Sequence, residues 1–167
     1  MNQNTQAPSP PSPSRPTHLS QLKHRWSELP VWARWVAATY AYGFIQGTCA
    51  HLIDLIRDGV HAYAAFPQVP LQVFFISLVI LDPLTAFLVL RLRRAGAWMA
   101  CGVMIADTTA NWTANWQWIH NDPPELLSPV GLTLITLFTL YVVATCYPLQ
   151  REMARMQRRG NSSSRRQ

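Results

Sequence analysis

Acidic side chains are scarce in this chain. Eight Asp and Glu stand against 14 Lys and Arg among 167 residues, and charged residues of both signs make up 13% of the whole. A typical soluble domain carries about 25%. With 49% of residues hydrophobic, the chain is too oily and too sparingly charged for that class. Cysteine is nearly as rare. Cys49, Cys101 and Cys146 are odd in number and each falls in an apolar stretch, where a free thiol behaves as a small hydrophobe. No disulfide framework is implied.

Other absences narrow the chemistry. The sequence has no Gly-rich phosphate loop, nucleophile elbow or HExxH pair, so hydrolase chemistry has no motif behind it. No repeat of fixed period appears. The first residues show neither the basic segment nor the short apolar core of a secretory signal. Residues 1–19 are instead rich in Pro, Ser, Gln and Thr, a composition with little to bury that predicts a disordered tail.

What the chain does contain is four windows of membrane-spanning length, about 20 residues each: 35–53, 71–90, 95–118 and 126–147. The third is weak in hydropathy, because Asp107, Asn111 and Asn115 interrupt it. Charge supports it. Lys and Arg precede the first window (Arg15, Lys23, Arg25, Arg34), separate the second from the third (Arg91, Arg93, Arg94) and follow the fourth (Arg151 to Arg166), leaving Arg57 alone on the other side. This asymmetry requires an even number of crossings with the basic side cytoplasmic. The net charge of +6 thus reflects topology and anionic headgroups. Nucleic acid is not an expected partner, since no aromatic platform or recognition motif accompanies the arginines.

The expected fold is an all-α integral membrane protein, an up-down four-helix transmembrane bundle with both termini cytoplasmic, in the plasma membrane or a bacterial inner membrane. An amphipathic helix over 20–29, with Leu22, Trp26 and Leu29 beside Lys23, His24 and Arg25, is expected to lie on the inner leaflet. The bundle is expected over 30–149 and a basic cytoplasmic tail over 150–167. Short links, including Asn121–Pro124 on the outer side, make sequential helices antiparallel neighbours. Pro148 is expected to end or kink the fourth helix, with fraying and disorder beyond.

Two acids stand out within the spans. At about 1.5 Å of rise per residue, Asp82 lies roughly 17 Å inward from Leu71, and Asp107 lies roughly the same distance inward from Trp118. They share a depth. A carboxylate at mid-bilayer costs at least about 3 kcal/mol, so such groups face an interior or a wet cavity and are functional candidates. Two of them at one depth do not both ionise comfortably, and a shared proton or a bound cation resolves the conflict. Asn111 and Asn115 continue the face of Asp107 at helical spacing. Thr85 shares the face of Asp82, and Pro83 tends to kink the helix beside it. The alternative is that the acids act as structural glue between helices.

Gly43 and Gly47 form a GxxxG pair suited to close helix packing, within the chain or between copies. Farther out, His51, Asp54, Asp58 and His61 are spaced three, four and three apart, and His120, Asp122 and Glu125 stand in the other outer loop. The expectation is a polar vestibule leading to Asp82 and Asp107 through His51 and Asp54. Imidazole with carboxylate would also suit a borderline divalent metal, for which His51, Asp54, Asp58 and His61 are weak candidates. Haem would need a second imidazole facing the same cavity, so no cofactor is expected. Thr133, Thr136 and Thr139 make a hydroxyl band on the fourth span, read as helix packing or pocket lining.

The expected function is binding of a small apolar or cationic ligand, or proton conduction, at Asp82, Asp107, Asn111, Asn115, Thr85, His51 and Asp54. Membrane lipids are the expected surroundings. The alternatives are an accessory subunit assembling through Gly43 and Gly47 into a homo- or hetero-oligomer, and a lipid- or sterol-modifying enzyme using the acids as acid and base. The four-span layout with cytoplasmic ends and buried acids resembles, in architecture alone, the emopamil-binding and sigma-2-receptor-like membrane proteins and the bacterial DoxX-like ones. No functional motif of theirs is matched residue by residue, so no site residue is carried over.

Overall fold

The computed structural model describes residues 18–66, 68–121 and 131–164, and all regular structure among them is helical. Five helices follow in order: α1 His18–Glu28, α2 Val31–Asp58, α3 Val69–Leu90, α4 Arg94–Asn121 and α5 Leu132–Ser164, with a 3-10 turn at Gly59–His61. By length and composition α3, and Leu132–Arg158 within α5, could cross a membrane. The expectations for residues 1–17, for Asp122 to Glu125 and for the start of the fourth span at 126–130 lie outside the described residues, as do the side chains of Trp118 and His120.

Proline, glycine and one strained leucine set the breaks. Pro30 disfavours helical backbone at Leu29 and separates α1 from α2. Arg34 ties the junction, donating from Nε to the Leu29 carbonyl (2.8 Å) and from Nη2 to that of Ser27 (2.7 Å). Gly59, at φ +62° and ψ −151°, occupies a region open in practice to glycine alone, and its N–H closes α2 onto Leu55 O. Pro70 lies in the first turn of α3, where its missing donor costs nothing. Between α3 and α4 the chain reverses within Arg91–Arg93, and Leu92 takes a positive φ of 52°. That backbone costs a leucine about 1–2 kcal/mol, and complete burial of its side chain offsets the strain.

Pro148 does not end the last helix: α5 runs through it to Ser164. The reason is packing. Leu149 and Met153 are fully buried, and Met156 is packed against the same core, which also includes Leu29. Glu28 and Pro30 line one small cleft with Glu152, Arg155 and Met156. The segment expected to be a frayed tail thus starts as a docked helix, its apolar positions continuing at helical spacing.

The long helices pack side by side in chain order, α2 along α3, α3 along α4 and α4 along α5, and a shorter seam joins α2 to α5. Polar ties cross these seams. Tyr40 donates to the Val142 carbonyl (2.7 Å) and meets Thr145 Oγ1 (2.9 Å), and the Cys146 thiol donates to the Ala97 carbonyl (3.2 Å). The Thr108 and Thr139 hydroxyls are 2.5 Å apart, and Trp112 Nε1 donates to Thr136 Oγ1 at 2.9 Å. Two of the three threonines in the hydroxyl band therefore join α5 to α4. At the end of the bundle Trp26 Nε1 donates to the Leu90 carbonyl (3.0 Å), fastening α1 to α3.

These contacts gather α1, the starts of α2 and α4, the end of α3 and the 149–156 segment of α5 at one end. Lys23, Arg25, Arg34, Arg91, Arg93, Arg94, Arg151, Arg155 and Arg158 belong to that end, and Arg57 to the opposite one. Away from the core, each long helix presents large apolar side chains outward. Examples are Trp35, Tyr42 and Ile56 on α2, Val73 and Ile80 on α3, Trp98, Ile105 and Trp116 on α4, and Leu137 and Leu140 on α5.

Candidate functional site

Asp82 is 5% exposed and meets no hydrogen-bond donor among the described residues. Its burial follows from α3, whose inward stripe Phe75, Leu78, Asp82, Thr85 and Val89 repeats every three to four residues. The carboxyl is seated against Gly47 of α2, where a Cβ would come within 2.5 Å of Oδ2. The missing side chain at Gly47 is what makes room for an acid at this level.

Asp107 approaches from α4. It is half-buried, and Asn111 Nδ2 donates to both its Oδ1 (2.9 Å) and its carbonyl (3.0 Å). The two carboxyls lie within electrostatic reach of each other, so the charge of either disfavours a charge on the other. Neither faces outward. What this arrangement lacks is positive charge: Lys and Arg of the described residues stand at the ends of the helices.

The remaining predicted residues divide into those that join this centre and those that do not. Thr85 is fully buried, but its hydroxyl donates to the Leu81 carbonyl of its own helix (2.7 Å). The Asn115 amide is likewise used on the Asn111 carbonyl (2.9 Å). Gly43 is filled by the Phe138 ring as Gly47 is by Asp82, so both glycines of the pair meet neighbours in the same chain. Asp58 and His61 are exposed, and Gly59 turns His61 off the helix, which breaks the expected row of four. Among the described residues no three His, Cys, Asp or Glu converge as a metal site would need.

His51 and Asp54 are brought together by a residue outside the predicted set, Tyr63. Its hydroxyl donates to Asp54 Oδ2 (3.0 Å) and lies 2.8 Å from His51 Nδ1. A phenol has one proton to give, so the imidazole nitrogen is the donor to the tyrosine oxygen. Burial, and then the bonded Asp54 carboxylate, push the Tyr63 hydroxyl above its ordinary range, which keeps it a donor at physiological pH. The Tyr63 ring stacks on Phe75, with centroids 5.2 Å apart, and on Phe66 at 6.3 Å. The His51 ring stands 6.2 Å from Phe75. Tyr63 also lies within electrostatic reach of Asp107. The signal for Tyr63 in the sequence is faint: an aromatic pair, Tyr63 and Phe66, shortly after a helix-ending glycine.

His51 is one helical turn beyond Gly47, and Phe75 is two turns beyond Asp82. At about 1.5 Å per residue the aromatic cluster therefore sits roughly 6–10 Å from Asp82, toward the Arg57 end. On the other side of Gly47, Tyr40, Phe44 and Phe138 fill the core. The result is a pair of carboxyls between two aromatic layers, with an amide on one acid and, among the described residues, no donor on the other. No family model, curated protein or solved structure matches this chain.

Proposed function

We propose that α2, α3, α4 and α5 all cross a lipid bilayer, with the basic end in the cytoplasm of a plasma membrane, and that Asp82 and Asp107 together hold a cation inside the bundle. The cation is a proton or the protonated amine of a small apolar molecule. One observation carries the reading: Asp82, a residue only 5% exposed, meets no donor among the described residues and lies within electrostatic reach of a second carboxyl. A buried acid without a partner costs several kcal/mol unless something positive or a proton joins it.

The outward surface supports the bilayer. A soluble monomer rarely exposes a contiguous apolar patch of more than a few hundred Å², yet large apolar side chains face outward on all four long helices, with Trp35 70% and Ile80 70% exposed. Although α2 and α4 are less apolar overall than α3, their polar side chains Asp54, Asp107, Asn111 and Asn115 are at least partly buried, as expected of spans lining an interior. The described cationic residues gathered at one end, against Arg57 at the other, favour the basic end as cytoplasmic. Alkaline phosphatase inserted after His61 is expected to be active in a bacterial host, and the same enzyme fused after Gln167 inactive. The reverse pattern would overturn the orientation, and two inactive fusions the crossing itself.

The site is tested with a probe pair matched in apolar bulk, dimethyloctylamine and 1-octanol, on protein in nanodiscs. The amine is expected to raise the thermal midpoint, since occupancy at a hundred times Kd stabilises by about 2.7 kcal/mol, and the alcohol to leave it unchanged. Asp82→Asn is expected to weaken amine binding by at least about thirtyfold, the order of losing one partner of a buried charge pair, and Asp107→Asn by a similar factor. If both variants respond to the amine as the wild type does, the site reading fails.

A further inference from the structure

We propose that Tyr63 is the latch of an outer gate, closing the acid site toward the Arg57 end by its bonds to His51 and Asp54 and its stack on Phe75. The proposal rests on the reading of Asp82 and Asp107 as a site that takes up a solute cation, but it concerns access rather than affinity.

Four observations converge on it. Tyr63 is buried, at 8% exposure, although it belongs to the connection between α2 and α3 rather than to a long helix. Its hydroxyl links two side chains of α2, His51 and Asp54, at 2.8 and 3.0 Å, while its ring lies on Phe75 of α3. It therefore spans the seam between the two helices that enclose Asp82. It stands in the layer immediately outside the acids and within electrostatic reach of Asp107. Finally, the chain that carries it leaves α2 through Gly59, whose positive φ and open surroundings permit backbone rotation that other residues would resist.

The latch is built to release. Two hydrogen bonds and a ring stack are each modest contacts, and none is made to the acids themselves. Rotation of Tyr63 away from His51 would uncover the His51 and Asp54 side chains and open a polar way to Asp107 without separating the long helices. Thr108, Thr139, Trp112 and Thr136, which join α4 to α5, would remain in place.

The test reads carboxyl accessibility on the full chain in nanodiscs, using a water-soluble carbodiimide with glycine ethyl ester and peptide mass spectrometry. Asp58 is exposed and serves as the internal reference. In the wild type, Asp107 and Asp82 are expected to label at least about tenfold more slowly than Asp58. Tyr63→Phe keeps the ring and loses both hydrogen bonds, and it is expected to speed labelling of Asp107 about tenfold. Trp112→Phe also removes one half-buried hydrogen bond, but away from the latch, and is expected to leave the rate unchanged. Equal rates in wild type and Tyr63→Phe, or an equal rise in Trp112→Phe, would overturn the gate. Because labelling needs no bound amine, that failure is separate from a failure of cation binding, which the amine and alcohol pair reads directly.

Discussion

Replacing Gly47 by leucine is expected to abolish the amine-dependent rise in thermal midpoint while the chain still folds. A single Cβ at this position already comes within 2.5 Å of Asp82 Oδ2, a distance that real Cβ contacts essentially never show. The atom it meets belongs to the end of a rotatable side chain, so the acid gives way before the backbone does. Leucine adds three more carbons and takes the space the carboxyl occupies. Overpacking of this kind costs about 1–3 kcal/mol, which lowers the midpoint without unfolding a helical core of this size. On the proposed reading the functional effect is larger, because Asp82 would be driven from the level of Asp107 and a bound cation would lose one of its two carboxyls. Gly102→Leu is the control. Gly102 is exposed and its Cβ would meet nothing within 4 Å, so that variant should bind the amine as the wild type does. A Gly47→Leu protein that still responds to the amine would show that Asp82 is not held where the site requires it.

The largest structural effect is expected from Gly96→Val. A Cβ on Gly96 would lie 2.7 Å from both the carbonyl carbon of Leu88 and the amide nitrogen of Val89. Those atoms are backbone, in the last turn of α3, and have no rotamer to adopt. The tight reversal through Leu92 holds α3 and α4 together there, so relief requires the two helices to separate where Val89, Leu92 and Ala97 are fully buried. The loss is expected to exceed about 3 kcal/mol, at the severe end for single substitutions. It is read as a collapse of the thermal midpoint and of the monodisperse peak on gel filtration. Valine at Gly102 supplies the same side chain on the same helix without the clash and is expected to be silent. Wild-type melting of the Gly96→Val protein would mean that the α3–α4 crossing is looser than its geometry implies.

Gly47 and Gly96 also show how unevenly local and tertiary constraints are written in a chain. Gly47 is recognisable beforehand because it stands four residues from Gly43, and small residues at that spacing indicate a close helix approach. The occupant was not recognisable: a GxxxG pair can admit a second copy as readily as a side chain of the same molecule. Gly96 has no glycine partner at helical spacing, and the Ala100 four residues on is a weaker sign of close approach than a second glycine. Its role arises from the backbone of a different helix.

That Asp82 and Asp107 turn away from the outer surface could be anticipated, because a carboxyl in an apolar run is costly to expose to lipid, and counting the rise per residue puts both at one level. Thr85 and Asn115 share their helical faces, yet their polar groups are bonded to their own helices. Spacing along one helix says which direction a side chain takes and nothing about whether a nearer carbonyl will claim it. Tyr63 shows the converse. Loop residues have no periodicity, so no pattern could associate it with His51 and Asp54, twelve and nine positions earlier. Pro148 is a third kind of difference. The local rule against proline in helices was outweighed by Leu149, Met153 and Met156, whose apolar stripe docks beside Leu29 and stabilises the helix beyond it.

The order of amino acids alone determined the all-helical character, the breaks at Pro30 and Gly59, the one-sided distribution of arginine and the presence of two acids within apolar stretches, since each depends on spacing, composition or the backbone limits of single residues. Tertiary packing decided that Asp82 meets no donor among the described residues, that Gly47 receives the acid, and that a tyrosine from a turn closes the layer above them. Those outcomes depend on which helix lies opposite which, and distances between helices are set by the fit of whole surfaces.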